Sequence, residues 1–113
     1  MAGAPSPDSP VRGSRSGRPI MALLDLLGRR WNMRVIWELR DVEPLNFRAL
    51  QDRCDGMSSS VLNRRLSELR AAGIVEQVDR GYELTVEGHK LLALYPELEA
   101  WALRWTKRSA ARR

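Results

Sequence analysis

Between Ser58 and Gly73 the chain reads SSSVLNRRLSELRAAG, a run of hydroxyl, amide and guanidinium side chains set at helical spacing. At about 100° per residue, Ser60, Arg64 and Ser67 fall on one side of a helix, with Asn63 and Arg70 flanking one edge. Ser58 and Ser59 open the same run, and Arg65 lies nearer the apolar edge. Serine, asparagine and arginine are side chains that hydrogen-bond to base edges and phosphates in a DNA major groove. Leu62, Leu66 and Leu69, four and three residues apart, supply the opposite, apolar side. Ser58 is expected to cap the helix by accepting an N–H of its first turn, and Gly73 to end it. A merely solvated polar face is the alternative for an isolated amphipathic helix, so the neighbouring elements have to decide.

Little else in the chain suggests chemistry of another kind. Cys54 and His89 are the one cysteine and the one histidine, too few to build a zinc site. No nucleophile elbow, phosphate-binding loop or dinucleotide fingerprint is present. The expectation is a protein with no catalytic residues, no metal, no cofactor and no enzymatic activity. Cys54 reads first as a small buried residue, with a redox-active thiol as the sharper alternative.

A chain of 113 residues, 43% of them apolar, suits one domain with a modest core. No apolar run approaches the roughly 18 residues of a membrane span, and the N-terminus lacks the apolar segment of a signal peptide. With a single cysteine, a cytoplasmic protein is expected. The net charge of +5 is unevenly spread. Residues 1–18 carry +2 (Arg12, Arg15 and Arg18 against Asp8), and 107–113 carry +4 (Lys107, Arg108, Arg112, Arg113), which leaves −1 for 19–106. Basic ends add non-specific affinity for nucleic acid, but they do not mark a DNA-binding domain.

The elements around the 58–72 helix follow in order. Residues 1–17, mostly Pro, Ser, Gly and Arg, read as a disordered basic arm. Pro19 suits the first turn of a helix in which Ile20, Leu23, Leu24 and Leu27 form an apolar stripe, with Met21 and Leu26 off it. A second helix is expected over Arg30–Arg40, with Trp31, Val35, Ile36 and Leu39 buried and Trp37 at an edge. Pro44 breaks the pattern, Leu45 suits a very short strand, and Asn46 caps a third helix, Phe47–Cys54. Asp55-Gly56-Met57 then turns straight into Ser58. A short helix, a glycine-containing turn and a longer polar-faced helix are the order of a helix-turn-helix, whose second helix enters the major groove.

Ile74, Val75 and Val78, the turn Asp79-Arg80-Gly81, and Tyr82, Glu83 and Leu84 make a hairpin, or wing, directly after that helix. Arg80 at its tip is either a contact to phosphate or minor groove, or a solvated turn residue. Thr85 caps a further helix with Glu87 in its first turn, and Pro96 kinks it, interrupts it or starts a new one. Leu94, Leu98, Trp101 and Trp105 repeat at four, three and four residues. That seam reads as a homodimer interface shared with the 20–27 helix; packing onto the subunit's own core is the alternative.

Residues 18–106 resemble the HxlR family of bacterial winged helix-turn-helix transcription regulators. The matching stretches are Pro19-Ile20 leading into ALLDLLGRRW (22–31), VIWEL (35–39), NFRALQDRCDGMSSSVLNRRLSELRAAGIVE (46–76) and LTVEG (84–88), with the terminal apolar helix. The resemblance implies a dimer on two operator half-sites, with the first and last helices forming most of the interface. It also implies DNA contacts from Ser59, Ser60, Asn63, Arg64 and Arg65. The chain departs from the pattern in two places. Arg18 stands where many members carry a cysteine that some use to sense electrophiles or oxidants, and DRGYELT closes the wing more abruptly than is usual.

The expected fold is mainly α with a small β-hairpin (α+β), a winged helix-turn-helix with N- and C-terminal dimerisation helices over 18–106 and a basic tail over 107–113. The expected function is a sequence-specific regulator that binds double-stranded DNA as a homodimer, away from membranes, through Ser58, Ser59, Ser60, Asn63, Arg64, Arg65, Ser67 and Arg80. The near-neutral middle keeps a second class open, a winged helix used as a protein-interaction or assembly module. A small-molecule effector lined by Trp31, Trp37, Trp101 and Trp105 is a third reading, which nothing in the sequence supports over plain packing.

Overall fold

A computed structural model describes residues 18–111; the expected basic arm over 1–17, with Arg112 and Arg113, lies outside the described residues. Pro19 opens α1 (Pro19–Leu27), where its fixed φ suits the first turn. The helix turns its Ala22–Leu26 edge inward, so Leu26, expected off the main stripe, is the residue that joins the core. The stripe itself faces out, with Ile20 and Leu24 exposed and Leu23 and Leu27 half-buried.

The second helix is shorter than the expected Arg30–Arg40. It is α2 (Asn32–Glu38), and Trp31 stands ahead of it at φ 78°, left-handed and half-buried. Asn32 explains the late start: its side chain is buried and donates to the Leu26 carbonyl at 2.9 Å, closing the end of α1. Val35, Ile36 and Leu39 keep the buried face, and α2 packs against α1, α3 (Phe47–Arg53), α4 (Ser59–Ala71) and α5 (Val86–Leu92).

Local capping works as the residue types dictate. Asn46 accepts from the Ala49 N–H at 2.8 Å at the head of α3. Leu62, Leu66 and Leu69 of α4 are buried on Leu50 and the α2 face, and Gly73 takes φ 76° just past the helix end. β1 (Val75–Val78) and β2 (Gly81–Leu84) pair antiparallel, Val75 opposite Leu84 and Val78 opposite Gly81. Leu45 joins them as a single bridge to Tyr82, the very short strand expected there. Thr85 accepts from the Gly88 N–H at 3.0 Å and donates to the Gly73 carbonyl at 2.6 Å, tying α5 to the end of α4. Gly88 is buried so closely against the Ile74 carbonyl that a Cβ there would run into it.

Pro96 starts a new helix, α6 (Tyr95–Ala111), rather than kinking the previous one. Tyr95 is half-buried and donates its hydroxyl to the Met33 carbonyl at 3.0 Å, while residues 96–110 are exposed. The helix runs on past Trp105, so Lys107 and Arg108 lie on its last turns. The architecture is a winged helix-turn-helix with one helix added at each end.

Candidate nucleic-acid interface

Ser58 lies in extended backbone ahead of α4 and accepts from the Val61 N–H at 3.2 Å. From that cap the helix presents Ser59, Ser60, Asn63, Arg64, Ser67 and Arg70 to solvent, while its Leu62–Leu66–Leu69 side is locked in the core. The expected polar face is therefore assembled as one surface.

The turn that aims this face is clamped from α2. Asp55 and Gly56 both take left-handed backbone, at φ 58° and 69°. Arg34 donates to the Arg53 carbonyl at 2.8 Å and to Asp55 at 3.3 Å, while its Nε holds Glu38 at 2.7 Å. The Glu38 hydrogen bond is the main cause holding the Arg34 guanidinium above its ordinary range. Gln51 reaches from α3 to the head of α4, donating to the Met57 carbonyl and to Ser59. Gln51 lies on α3, which leads into the turn, but Arg34 reaches it from α2, and neither carries a local sequence signal of this role.

Arg65 does not join the exposed face. Its side chain is 14% exposed and its Nη1 sits 3.2 Å from Glu68, which also takes Nη1 of Arg29. Arg29 in turn pairs with Asp25 at 3.4 Å. Arg65 was placed near the apolar edge of the helix by its angle, and the buried Glu68 one turn on draws it inward.

Arg80 stands at the wing tip beside Glu43 at 3.2 Å, both about three-quarters exposed. Such an exposed pair is worth about 0–1 kcal/mol and exchanges readily for another anion. On the paired strands Glu76 lies opposite Glu83, and a hydrogen bond shared with Glu76 is the main cause raising the Glu83 carboxyl above its ordinary range. That acidic face repels phosphate and leaves any DNA contact of the wing to its tip.

Cys54 sits inside the core, and burial pushes its thiol up from 9.0 to about 11. A thiol that protonated is a poor nucleophile, so the arrangement favours a packing residue. A disulfide reagent at pH 8 is expected to label native protein at least about a hundredfold more slowly than unfolded protein, since two pKa units remove that much thiolate. Comparable rates would return Cys54 to a redox role. Because the folded pKa is the higher one, this group's stabilising contribution is complete below pH 9.0 and is lost as pH rises toward about 11.

A second surface lies between the ends of the chain. Leu23, Leu24 and Leu27 of α1 face Leu94, Leu98 and Trp101 across a groove of about 660 Å³. Trp105 stacks on Trp101 with ring centroids 5.6 Å apart, and Ile20 is exposed farther along α1. The four tryptophans are not gathered at one site: Trp37 stacks on Tyr95 under the Arg40 guanidinium, and Trp31 lies under Arg30. Among the described residues, no cluster of His, Cys, Asp and Glu is placed to hold a metal ion, and no helix is long and apolar enough to cross a membrane.

Comparison with known proteins agrees with this architecture. The family described as HxlR-like helix-turn-helix matches residues 26–110. The HTH-type transcriptional regulator YodB of Bacillus subtilis is 37% identical over 84 residues, which cover 68% of this chain and 74% of YodB. The crystal structure of quinone-bound YodB superimposes with a TM-score of 0.71 at 35% identity, covering 75% of this chain and 96% of that one. A structure described as a possible HxlR family transcriptional factor from Thermoplasma volcanium gives a TM-score of 0.64 at 30% identity, covering 72% and 79%.

Proposed function

Because the chain belongs to the HxlR-like helix-turn-helix family of transcriptional regulators, we propose that it binds operator DNA as a homodimer, each subunit seating α4 in a major groove. The observation that carries this reading is the single exposed face of Ser59, Ser60, Asn63, Arg64 and Ser67 on a helix whose other side is fixed in the core. Arg64 takes a base edge or a nearby phosphate, and Asn63 and Ser60 take base edges or phosphates. Ser58 and Ser67 stand at the margins, where phosphate oxygens run. Arg80 exchanges Glu43 for a phosphate of the flanking backbone. Arg65 holds the helix in place through Glu68 and makes no direct contact.

The partner subunit covers the groove between α1 and α6. Exposed apolar patches of this kind mark association surfaces, and Ile20, Leu24, Leu98, Trp101 and Trp105 are each at least half exposed. A regulator of this class works in the cytoplasm, where its DNA is. The quinone held by the Bacillus relative makes a small quinone the first class of effector to try against the groove between α1 and α6.

Selection from random-sequence DNA at moderate salt tests the reading, and enrichment of an inverted repeat is the expected result. Uniform retention that only falls with salt would instead favour a protein-interaction module with basic ends. On the selected operator, Arg64→Ala is expected to weaken binding by about 1–3 kcal/mol if its guanidinium makes a bidentate guanine contact. Fluorescence anisotropy reads this directly, and unchanged affinity would remove Arg64 from the interface.

A further inference from the structure

We propose that Gln51 is a positioning residue for DNA reading: from α3 it fixes the polarity of the Ser59 hydroxyl, so that Ser59 meets the duplex as a hydrogen-bond donor. This rests on the placement of α4 in the major groove.

The chemistry starts from a carbonyl. The Met57 backbone oxygen lies 2.9 Å from the Gln51 side-chain amide, and a carbonyl only accepts. The end of the amide that faces it must therefore be the NH₂ end. That same nitrogen is 3.2 Å from Ser59 Oγ. Its second proton points there, so Ser59 is the acceptor in this pair. One hydroxyl lone pair is then engaged, and the hydroxyl proton is turned away from Gln51.

Ser59 is exposed at the first position of α4, so the proton faces the surroundings of the helix. Its partner has to be an acceptor. On a duplex that means a phosphate oxygen, a purine N7, guanine O6 or thymine O4, whereas the amino groups of cytosine and adenine are left only the second lone pair of Oγ. A serine alone accepts or donates indifferently, because its hydroxyl rotates. Gln51 tilts that balance toward donation from a position that need not itself touch DNA.

A double-mutant cycle on the selected operator isolates the effect. Ser59→Ala is expected to weaken binding about 3- to 10-fold in the wild-type background, the range for one neutral hydrogen bond. In a Gln51→Met background, where no donor orients the hydroxyl, the same change is expected to cost about threefold less, because a free hydroxyl donates from only one of about three staggered positions. Gln51→Glu, which accepts the hydroxyl proton itself, is expected to abolish the Ser59→Ala cost, and it decides the matter should the Met variant fail to fold in a thermal melt. A full Ser59→Ala cost in either folded background overturns the proposal, and so does no cost in the wild type.

Operators carrying single methylphosphonates, 7-deazapurines, 2-aminopurine in place of guanine or 5-methyl-2-pyrimidinone in place of thymine along the half-site test each of these acceptors in turn. The substitution that erases the Ser59→Ala cost identifies the acceptor, and a cost that survives all of them overturns the donor assignment. Arg64→Ala run alongside distinguishes the two levels of failure. If it weakens binding while the cycle is additive, only the role of Gln51 falls. If no inverted repeat enriches and Arg64→Ala changes nothing, the placement of α4 itself is wrong.

Discussion

Glu68→Ala is expected to destabilise the domain by about 3–5 kcal/mol, the range for removing one partner of a buried ionic cluster. Glu68 is the anion between two guanidinium groups: Arg65 on its own helix at 3.2 Å and Arg29 from the turn between α1 and α2. All three side chains are largely withdrawn from water, at 11%, 14% and 22% exposure. Removing the carboxylate leaves two poorly hydrated cations facing one another, which costs more than the lost attraction. For a domain of this size the melting temperature should fall by roughly 12 °C or more. Chemical denaturation followed by circular dichroism measures the change, and a loss under about 1 kcal/mol would show the cluster to be an ordinary surface pair. Arg65→Ala is the milder companion, since Glu68 keeps Arg29.

Trp101→Glu is expected to leave the fold intact and to weaken binding to an inverted-repeat operator by about 10²–10⁴-fold, the avidity lost when two linked half-site contacts become one. Trp101 lines the α1–α6 groove beside Leu23, Leu24, Leu27 and Leu98, and it is 56% exposed in the single subunit. A carboxylate there costs little in an isolated subunit, where water reaches it. In an apolar dimer interface it is an unpaired buried charge. Sedimentation should report a folded monomer whose melt is lowered only by the lost association and no longer depends on protein concentration, and affinity for an isolated half-site should stay within a few-fold of wild type. A variant that stays dimeric would move the interface off this groove. A variant that turns monomeric but still binds the full operator tightly would dismiss the coupling between dimer and operator.

Much of the local architecture is legible because its causes are local. Ser58, Asn46 and Thr85 each accept the backbone N–H three residues on, so a cap can be read from a four-residue window. The leucines of α4 declare its buried side through spacing, and the polar face follows by elimination. The order of short helix, turn, long helix and hairpin then suffices for the winged helix-turn-helix and for the polar face that α4 presents to solvent.

What the linear order could not decide depends on groups far apart along the chain. Arg65 carries the residue type of a DNA contact, and its helical angle leaves it at the boundary; a buried Glu68 shared with Arg29, 39 residues away from it, draws it inward. Trp31 belongs to an apolar pattern, yet Asn32 spends its side chain on the Leu26 carbonyl and holds Trp31 outside the helix in left-handed backbone. Leu26 and the Ile20–Leu27 stripe are equally apolar, and only the seat of α1 on α2 determined which edge went into the core. Burial pushes the Cys54 thiol up to about 11, a property of packing and not of sequence. The chain by itself thus determined the helices, their caps and the chemistry of the exposed face. Tertiary structure decided which charges were left to meet a ligand, because a side chain is available for binding only when no partner folded against it has claimed it.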